Sequence, residues 1–374
     1  MRGLSYFFKR VYQFSQSRPI LNRLGGRTIT YTEFPMTFLF NLFTYGPFRA
    51  TILGRKMKRL DRLGKGLILC HTAADLVPGG RSYKRVFVYH GTCDTIYKAN
   101  GPENKLLSEW FEYYFVTGEK DLDKLKRFTY DPEGLEGKII KIGMFRSDPI
   151  VTKSYDRATI LHNYNIKSNG KKIVLYAPTW GYGGGTLGKC FETFAEEITK
   201  NYILIIRPHF NDKENISYIQ KWQRNNRNPN LYFFPKPYHD IIDFIYISDL
   251  LIGDNSSVNY DFSLTGRPIV LVRSDDHENL FIPPDEYNIK LCCPIYDPHS
   301  NDSIIEKIED AFDNPEYRKH IENLVKNSFY FNDGHAVDRA CSFIVDCLSE
   351  MKIVDRQEVL EKYGGRFVYM DNYK

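Results

Sequence analysis

The stretch Ser248-Asp249-Leu250-Leu251-Ile252-Gly253-Asp254-Asn255-Ser256-Ser257-Val258-Asn259-Tyr260-Asp261-Phe262 decides how the rest of this chain is read. Leu250 to Ile252 is apolar enough for a buried strand, which stops at Gly253-Asp254. Two serines follow where a helix should begin. That succession puts free main-chain N–H groups and the hydroxyls of Ser256 and Ser257 at the positive end of a helix dipole, a setting that suits a phosphate. The next apolar run, Pro268 to Val272, reads as another buried strand. The unit is then strand–helix–strand, with its loop at the carboxyl edge of a parallel sheet. A nucleotide diphosphate fits such a loop. The serines alone would do no more than cap a helix; the two flanking strands are what favour a ligand.

Working outward, the same alternation recurs in both halves. Strands are expected at Gly66–Cys70, Arg85–Tyr89, Tyr113–Thr117 and Lys138–Ile142, with a charged helix opening at Gly118-Glu119. In the second half they are expected at Lys172–Ala177, Tyr202–Ile206, Leu231–Phe234 and Asp249–Ile252. The spacing of apolar residues predicts helices over Phe191–Ile198, Ser303–Phe312, Tyr317–Ser328 and Ala336–Met351. The expected class is α/β, with two Rossmann-like domains whose parallel, helix-covered sheets face a cleft. The chain divides on this reading into a basic N-terminal helical segment (1–65), a domain over 66–160, a second over 161–334, and a C-terminal helix (335–374) that returns to the first domain.

Length and composition agree with this division. A chain of 374 residues with 42% hydrophobic and 26% charged residues has the make-up of a soluble globular protein of two domains. The net charge of +5 conceals an asymmetry: residues 1–65 carry thirteen Lys and Arg against Glu33 and Asp61, a net of +11, which leaves −6 for the remainder. A basic head beside Phe7-Phe8, Phe38-Leu39-Phe40, Leu42-Phe43 and Phe48 describes a segment that docks on anionic lipid, or else a subdomain with a solvated basic face. The stretch Phe34 to Tyr45 is too short to span a bilayer, which takes about 20 residues. The start has no signal-peptide pattern. Seven cysteines (Cys70, Cys93, Cys190, Cys292, Cys293, Cys341, Cys347) form no CxxC pair, which argues for reduced thiols and against a disulfide framework or zinc site. No recognised nucleic-acid module accompanies the basic charge, so no nucleic-acid partner is expected.

Two histidines are placed for chemistry. His90 follows the strand at Arg85–Tyr89 and His209 follows the strand at Tyr202–Ile206, and carboxyl ends of parallel strands form the ligand crevice. Imidazole accepts or donates a proton near neutral pH. A single histidine is more often structural; two at equivalent strand ends, one per domain, favour function. Arg207 could pair with a phosphate or be an ordinary surface cation. The loop Pro178-Thr179-Trp180-Gly181-Tyr182-Gly183-Gly184-Gly185 lets main chain approach a ligand closely, although it fits neither the P-loop nor the dinucleotide fingerprint. No HExxH, GxSxG or Walker pattern occurs, so chemistry without a metal or resident cofactor is the simpler expectation.

Five segments in order carry a family resemblance: Val88-Tyr89-His90-Gly91-Thr92, Gly143-Met144-Phe145-Arg146-Ser147-Asp148, Tyr176-Ala177-Pro178-Thr179-Trp180, Arg207-Pro208-His209 and Ser248 to Phe262. With the tail Phe331-Asn332-Asp333-Gly334-His335-Ala336 and Arg339, the chain resembles the CDP-glycerol glycerophosphotransferase family, the teichoic acid primases and polymerases of bacterial walls and capsules. The resemblance implies a glycosyltransferase-B-like fold and an enzyme on the cytoplasmic face of the cell membrane. It implies transfer of an alditol phosphate from a CDP-activated donor to a hydroxyl of a lipid-linked or polymer acceptor, with release of CMP. The first domain would be the acceptor side and the second the nucleotide-donor side. His90 matches the family's base and His209 its second essential histidine, beside the donor diphosphate. Asp254, Ser256, Ser257 and Asp261 match the donor-phosphate segment; Thr179 and Arg207, and with them Gly91, Arg146 and Asp148, fall at cleft positions. The chain departs from the family pattern at Cys93-Asp94, Phe145, Asn255 and Phe210. A sugar transferase of the same fold, or a nucleotide-sugar epimerase using a UDP-sugar, is the alternative.

Overall fold

A computed structural model describes residues 1–8, 11–31, 37, 39, 42–44, 50–53, 64–71, 82–88, 111–128, 131–181, 184–274 and 283–373. The chain forms two compact units. The first comprises residues Met1–His90, Tyr97–Asp148 and Phe329–Lys374, and the second Gly91–Ile96 and Pro149–Ser328.

In the first unit, seven parallel strands are β1 (Leu4–Phe8), β2 (Arg27–Tyr31), β3 (Ala50–Leu53), β4 (Gly66–Cys70), β5 (Tyr83–Val88), β6 (Tyr113–Val116) and β7 (Ile139–Lys141). Their order in the sheet is β3-β2-β1-β4-β5-β6-β7. β1 and β4 are buried along their whole length, as inner strands of a parallel sheet covered on both faces are. Tyr6, Phe8, Leu67, Leu69, Val86, Val88 and Phe115 point to one core, and Phe7, Ile68, Cys70, Phe87, Tyr114 and Val116 to another. Helix α1 (Tyr12–Leu24) lies on the first face, and α2 (Glu119–Phe128) supplies Leu122 and Leu125 to the second.

The second unit starts with α3 (Arg157–Asn163), tied to the sheet by a bidentate Arg157–Asp249 pair at 3.0 Å. Six parallel strands follow: β8 (Ile173–Tyr176), β9 (Ile203–Ile206), β10 (Leu231–Phe233), β11 (Leu250–Gly253), β12 (Ile269–Val272) and β13 (Ile295–Tyr296). Between them run α4 (Leu187–Asn201), α5 (Lys213–Asn225), α6 (Ile241–Ile247) and α7 (Val258–Ser263). Helices α8 (Ile304–Asp313) and α9 (Pro315–Ser328) complete the unit. The strand order is β10-β9-β8-β11-β12-β13. The direction of winding therefore reverses between β8 and β11, and open α/β sheets bind ligands at that point, outside the carboxyl ends of the strands.

The chain then returns to the first unit as α10 (Ala336–Glu350) and α11 (Arg356–Tyr363), with α10 packed beside α1 through Ala336, Val337, Ala340, Ile344 and Leu348. Arg339, fully buried, holds the tail in place. Its guanidinium pairs with both oxygens of Asp333, donates to Asn372 at 2.7 Å, and lies 4.0 Å over the Phe331 ring.

The head is the main correction to the sequence reading. Residues 1–65 are not a separate basic helical segment, because β1 is an inner strand of the seven-stranded sheet, between β2 and β4. Phe7 and Phe8, read as candidates for a membrane interface, are 1% and 0% exposed. An aromatic pair flanked by cations looks alike in an amphipathic anchor and in a short strand buried on both faces. Only long-range pairing with β2 and β4 separates the two. Leu39 and Phe43 are exposed, whereas Phe38, Phe40 and Phe48 lie outside the described residues. Among those described, no helix is long and apolar enough to cross a membrane.

Phe8→Ala is accordingly expected to cost about 3–5 kcal/mol in urea unfolding, the range for truncating a buried aromatic. A change within about 0.5 kcal/mol, as for a surface position, would return the pair to the surface.

Candidate functional site

The site is built at the reversal point of the second sheet. Three connections leave its carboxyl edge side by side: residues 177–186 after β8, 207–212 after β9 and 254–257 after β11. The ladder brings them together, since Ala177 N donates to Ile252 O at 3.0 Å and Arg207 N to Tyr176 O at 2.9 Å. Three of the motifs singled out in the sequence therefore share one edge.

Asp254 is at its centre, though not as a ligand-facing acid. Its side chain is 4% exposed, and both oxygens are engaged. Oδ1 accepts from Thr179 N at 2.9 Å, and Oδ2 accepts from Thr186 N and Thr186 Oγ1, each at 3.1 Å. Because that hydroxyl proton goes to Asp254, the Tyr176 hydroxyl 2.8 Å away is the donor to Thr186 Oγ1. Burial pushes the Asp254 carboxyl up to about 6 against the pull of the Thr179 and Thr186 donors. In this structure the Asp254 carboxylate is taken up by main-chain and Thr186 donors at the base of the edge. Asp254 closes the glycine-rich loop, and Thr179 reaches the edge through its amide bond to that acid.

The loop can close only with glycine at its end. A Cβ on Gly185 would lie 2.5 Å from the Thr179 carbonyl oxygen. Closure brings the Trp180 ring to 5.8 Å from His209, nearly parallel at 14°, while Phe210 stacks on the same imidazole at 4.6 Å and 26°. Asn211 N donates to His209 Nδ1 at 3.2 Å. A main-chain N–H needs an acceptor there, so in the neutral ring the proton is on Nε2. His209 is therefore held as an Nε2–H donor, partly exposed at the edge.

Ser256 and Ser257 are half-buried beside Asp254. The helix they open, α7, has six residues, so its dipole is weaker than the sequence reading supposed. Ser256 Oγ accepts from Val258 N at 3.3 Å, whereas Ser257 makes no capping bond with its side chain. Asp261 is buried within α7 at 2% exposure, and its N donates to Ser257 O at 3.2 Å. Asn255 donates to Ser274 Oγ at the end of β12, filling the place where the family pattern has tyrosine.

Arg207 also differs from expectation. Rather than standing free for a phosphate, its Nε donates to His239 O at 3.1 Å and its Nη1 to Pro208 O at 2.6 Å. Burial lowers the guanidinium to about 10, so it remains charged at neutral pH while bracing main chain.

In the first unit, Arg146 is buried at 6% exposure and Asp148 serves α10. The Asp148 carboxylate accepts from Ala336 N at 3.1 Å and Val337 N at 2.8 Å, capping the helix in place of a residue next to it in sequence. Both were read as cleft positions; the structure gives Asp148 the work of docking a helix end. His71 follows β4 and bonds through Nε2 to Ser17 Oγ at 2.9 Å. His90 and Gly91 lie outside the described residues, so no geometry joins them to His209. Among the described residues, no group of three His, Cys, Asp or Glu side chains could hold a metal ion. Sequence reasoning missed Thr186, Trp180 as a ring partner and Asn211. The polar–aromatic run after β8 was the only signal available.

Burial pushes the Asp148 carboxyl up to about 6, with the Val337 and Ala336 amides opposing. An acid raised above its unfolded value of about 3.9 contributes stability below that value, and loses it as pH rises through the folded one. The melting-temperature advantage of wild type over Asp148→Asn is therefore expected to be largest near pH 4 and to shrink by about pH 6.5. An advantage that grows with pH across this window would contradict the assignment.

Comparison with known proteins places this edge in a family. The model of the "CDP-Glycerol:Poly(glycerophosphate) glycerophosphotransferase" family matches residues 112–346. The teichoic acid poly(glycerol phosphate) polymerase of Bacillus spizizenii is 27% identical over 227 residues, covering 53% of this chain and 54% of that protein. The polymerase of the same description from Bacillus subtilis is 30% identical over 168 residues, 40% of this chain and 22% of that protein. The chain thus matches about half the length of the first relative and under a quarter of the second. Among solved structures, the wall teichoic acid polymerase TagF superposes with a TM-score of 0.67 at 16% identity, covering 93% of this chain and 89% of that one. A Staphylococcus aureus MnaA–UDP co-structure gives 0.60 at 14% identity, covering 95% and 98%. Likeness at that identity speaks for the two-Rossmann, glycosyltransferase-B type of fold. With the family model matching well over half of the sequence, the chain belongs to the CDP-glycerol:poly(glycerophosphate) glycerophosphotransferase family.

Proposed function

We propose that the protein transfers an alditol phosphate, glycerol phosphate or a close relative, from a CDP-activated donor to a hydroxyl of a lipid-linked or polymer acceptor. CMP is released, and the product belongs to a teichoic-acid-like or capsule polymer. Family membership over residues 112–346, together with His209 held as an Nε2–H donor at the reversal point of the second sheet, is the observation that carries this reading.

In the step proposed, His90 takes the proton of the acceptor hydroxyl, whose oxygen attacks the β-phosphorus of the donor. The bond from that phosphorus to the bridging oxygen breaks, and CMP leaves with the electron pair. His209 and the turn at Ser256-Ser257 offset the charge that builds on the departing oxygen. Phosphoryl transfer asks mainly for positioning and electrostatic stabilisation, so the reading assigns no resident metal or cofactor. Thr179 is read as donor-side through its place in the closed loop, and Arg207 as a fixed positive charge behind it.

The same fold also serves proteins that handle UDP compounds, as the MnaA–UDP structure illustrates. Purified protein incubated with CDP-glycerol, CDP-ribitol and UDP-sugars, with a lipid-linked acceptor analogue, separates the readings. CMP release with a product heavier by one or more alditol phosphates is expected. UDP or UMP release without CMP would establish the alternative. His90→Ala and His209→Ala are each expected to lower the CMP-releasing rate by about 10²- to 10⁴-fold, the range for losing a proton-transfer group; full turnover in His90→Ala would remove that residue as the base.

We also read the protein as peripheral on the inner face of the cell membrane. The reading rests on the +11 charge of residues 1–65 and on exposed Leu39 and Phe43. Sedimentation with anionic vesicles that weakens as salt rises is expected; equal partitioning onto neutral vesicles would contradict it.

A further inference from the structure

Asp254 is buried, yet its side chain governs one that is placed to meet a ligand. Its three donors come from Thr179 and Thr186, the two ends of the glycine-rich turn, so one carboxylate ties both ends together. Inside that tie the turn is fixed by Gly184 N donating to Gly181 O and Gly185 N to Trp180 O, each at 3.2 Å. Trp180 is thus held by its own carbonyl one residue from the anchored Thr179, and its ring is laid on His209 at 14°. From the other side, the loop after β9 supplies the Asn211 N–H that sets the tautomer. The tautomer is thus set from the loop after β9, and the plane of the imidazole from both loops, by Phe210 at 4.6 Å and by Trp180 at 5.8 Å.

We propose that Asp254 is a positioning residue for His209: by closing the loop from Thr179 to Thr186 it sets the Trp180 ring against the imidazole and so fixes the orientation of the ring that carries its proton on Nε2. The importance of this orientation rests on the phosphate-facing reading of His209 given above; the geometry is testable without turnover. A hydrogen bond to a developing charge weakens steeply as the donor swings off line, so a ring stacked against Trp180 as well as Phe210 keeps that alignment between turnovers. Asparagine at position 254 preserves the shape, but its amide N–H₂ opposes one of the main-chain donors that the carboxylate accepts.

The test uses the full chain labelled with ¹³C,¹⁵N-histidine, with ring signals recorded near pH 7.5, at about which the neutral imidazole predominates. His209 is assigned from the signal lost in His209→Gln. Its ring protons are expected upfield through the Trp180 ring current, moving downfield in Trp180→Leu, with ring nitrogens reporting a proton on Nε2. Asp254→Asn is expected to move the ring protons at least half of the way toward their Trp180→Leu position while Nε2 keeps its proton. Should Asp254→Asn fail to fold, Thr186→Val deletes one of the three bonds and is expected to shift the signals less, in the same direction, while Thr186→Ser leaves them in place. Unmoved His209 signals in folded Asp254→Asn, in Thr186→Val when only that variant folds, or in Trp180→Leu overturn the proposal. Signals that move as expected in a protein releasing no CMP from CDP-glycerol would leave the positioning role standing and remove the functional reading instead.

Discussion

A carboxylate with no water to solvate it must find donors within the fold, and Asp254 finds three in one loop. Removing the acid would strand two main-chain N–H groups and a hydroxyl in the interior, and a buried donor left without an acceptor costs about 1–3 kcal/mol. The burial that keeps water from Asp254 also makes its ionised form costly, which is why its carboxyl sits near 6. Family-pattern aspartates at such turns are easily read as ligands, and here the acid acts one step behind the surface.

The two units reach the same winding from unlike sequences. In each, the first strand is third in the order and the fourth lies beside it, so each sheet reverses direction at one point. In the second unit that point is filled by Asp254 and the loop it closes. In the first it lies between β1 and β4, where His71 follows a strand and bonds to Ser17. The basic head belongs to this scaffold, because β1 supplies a strand covered on both faces. Of its cations, Arg2, Arg18 and Arg27 are exposed near that strand, and Arg23 pairs with Asp338 at 3.7 Å.

How far the sequence could be read follows from the kind of signal each element gives. Gly66–Cys70 was placed to the residue, and Leu250 to Gly253 nearly so, because apolar runs bounded by glycine or charge are unambiguous in a parallel sheet. Leu4–Phe8, Arg27–Tyr31 and Ala50–Leu53 escaped because they are short and stand among cations, and their identity comes from partners far along the chain. Helix α5 escaped for another reason: only Ile219 of its residues is buried, so its apolar stripe is thin. At the site, the residue types were legible and their tasks were not. The pattern drew attention to Asp254, Arg207 and Asp148, but whether a carboxylate or guanidinium faces a ligand or main chain depends on where loops fold back. Thr186 and Asn211 carry no sequence signature at all; each matters through one hydrogen bond.

The account requires that the loop closed by Asp254, the imidazole of His209 and the Ser256-Ser257 turn form one side of a nucleotide diphosphate site. A crystal structure with CDP-glycerol or CDP bound tests this most directly. The account predicts the diphosphate at the carboxyl edge of β8, β9 and β11, within hydrogen-bonding reach of His209 Nε2, with the Thr179 to Thr186 loop unchanged around it. A nucleotide bound away from that edge, or a diphosphate that reaches neither His209 nor the serine turn, would contradict it.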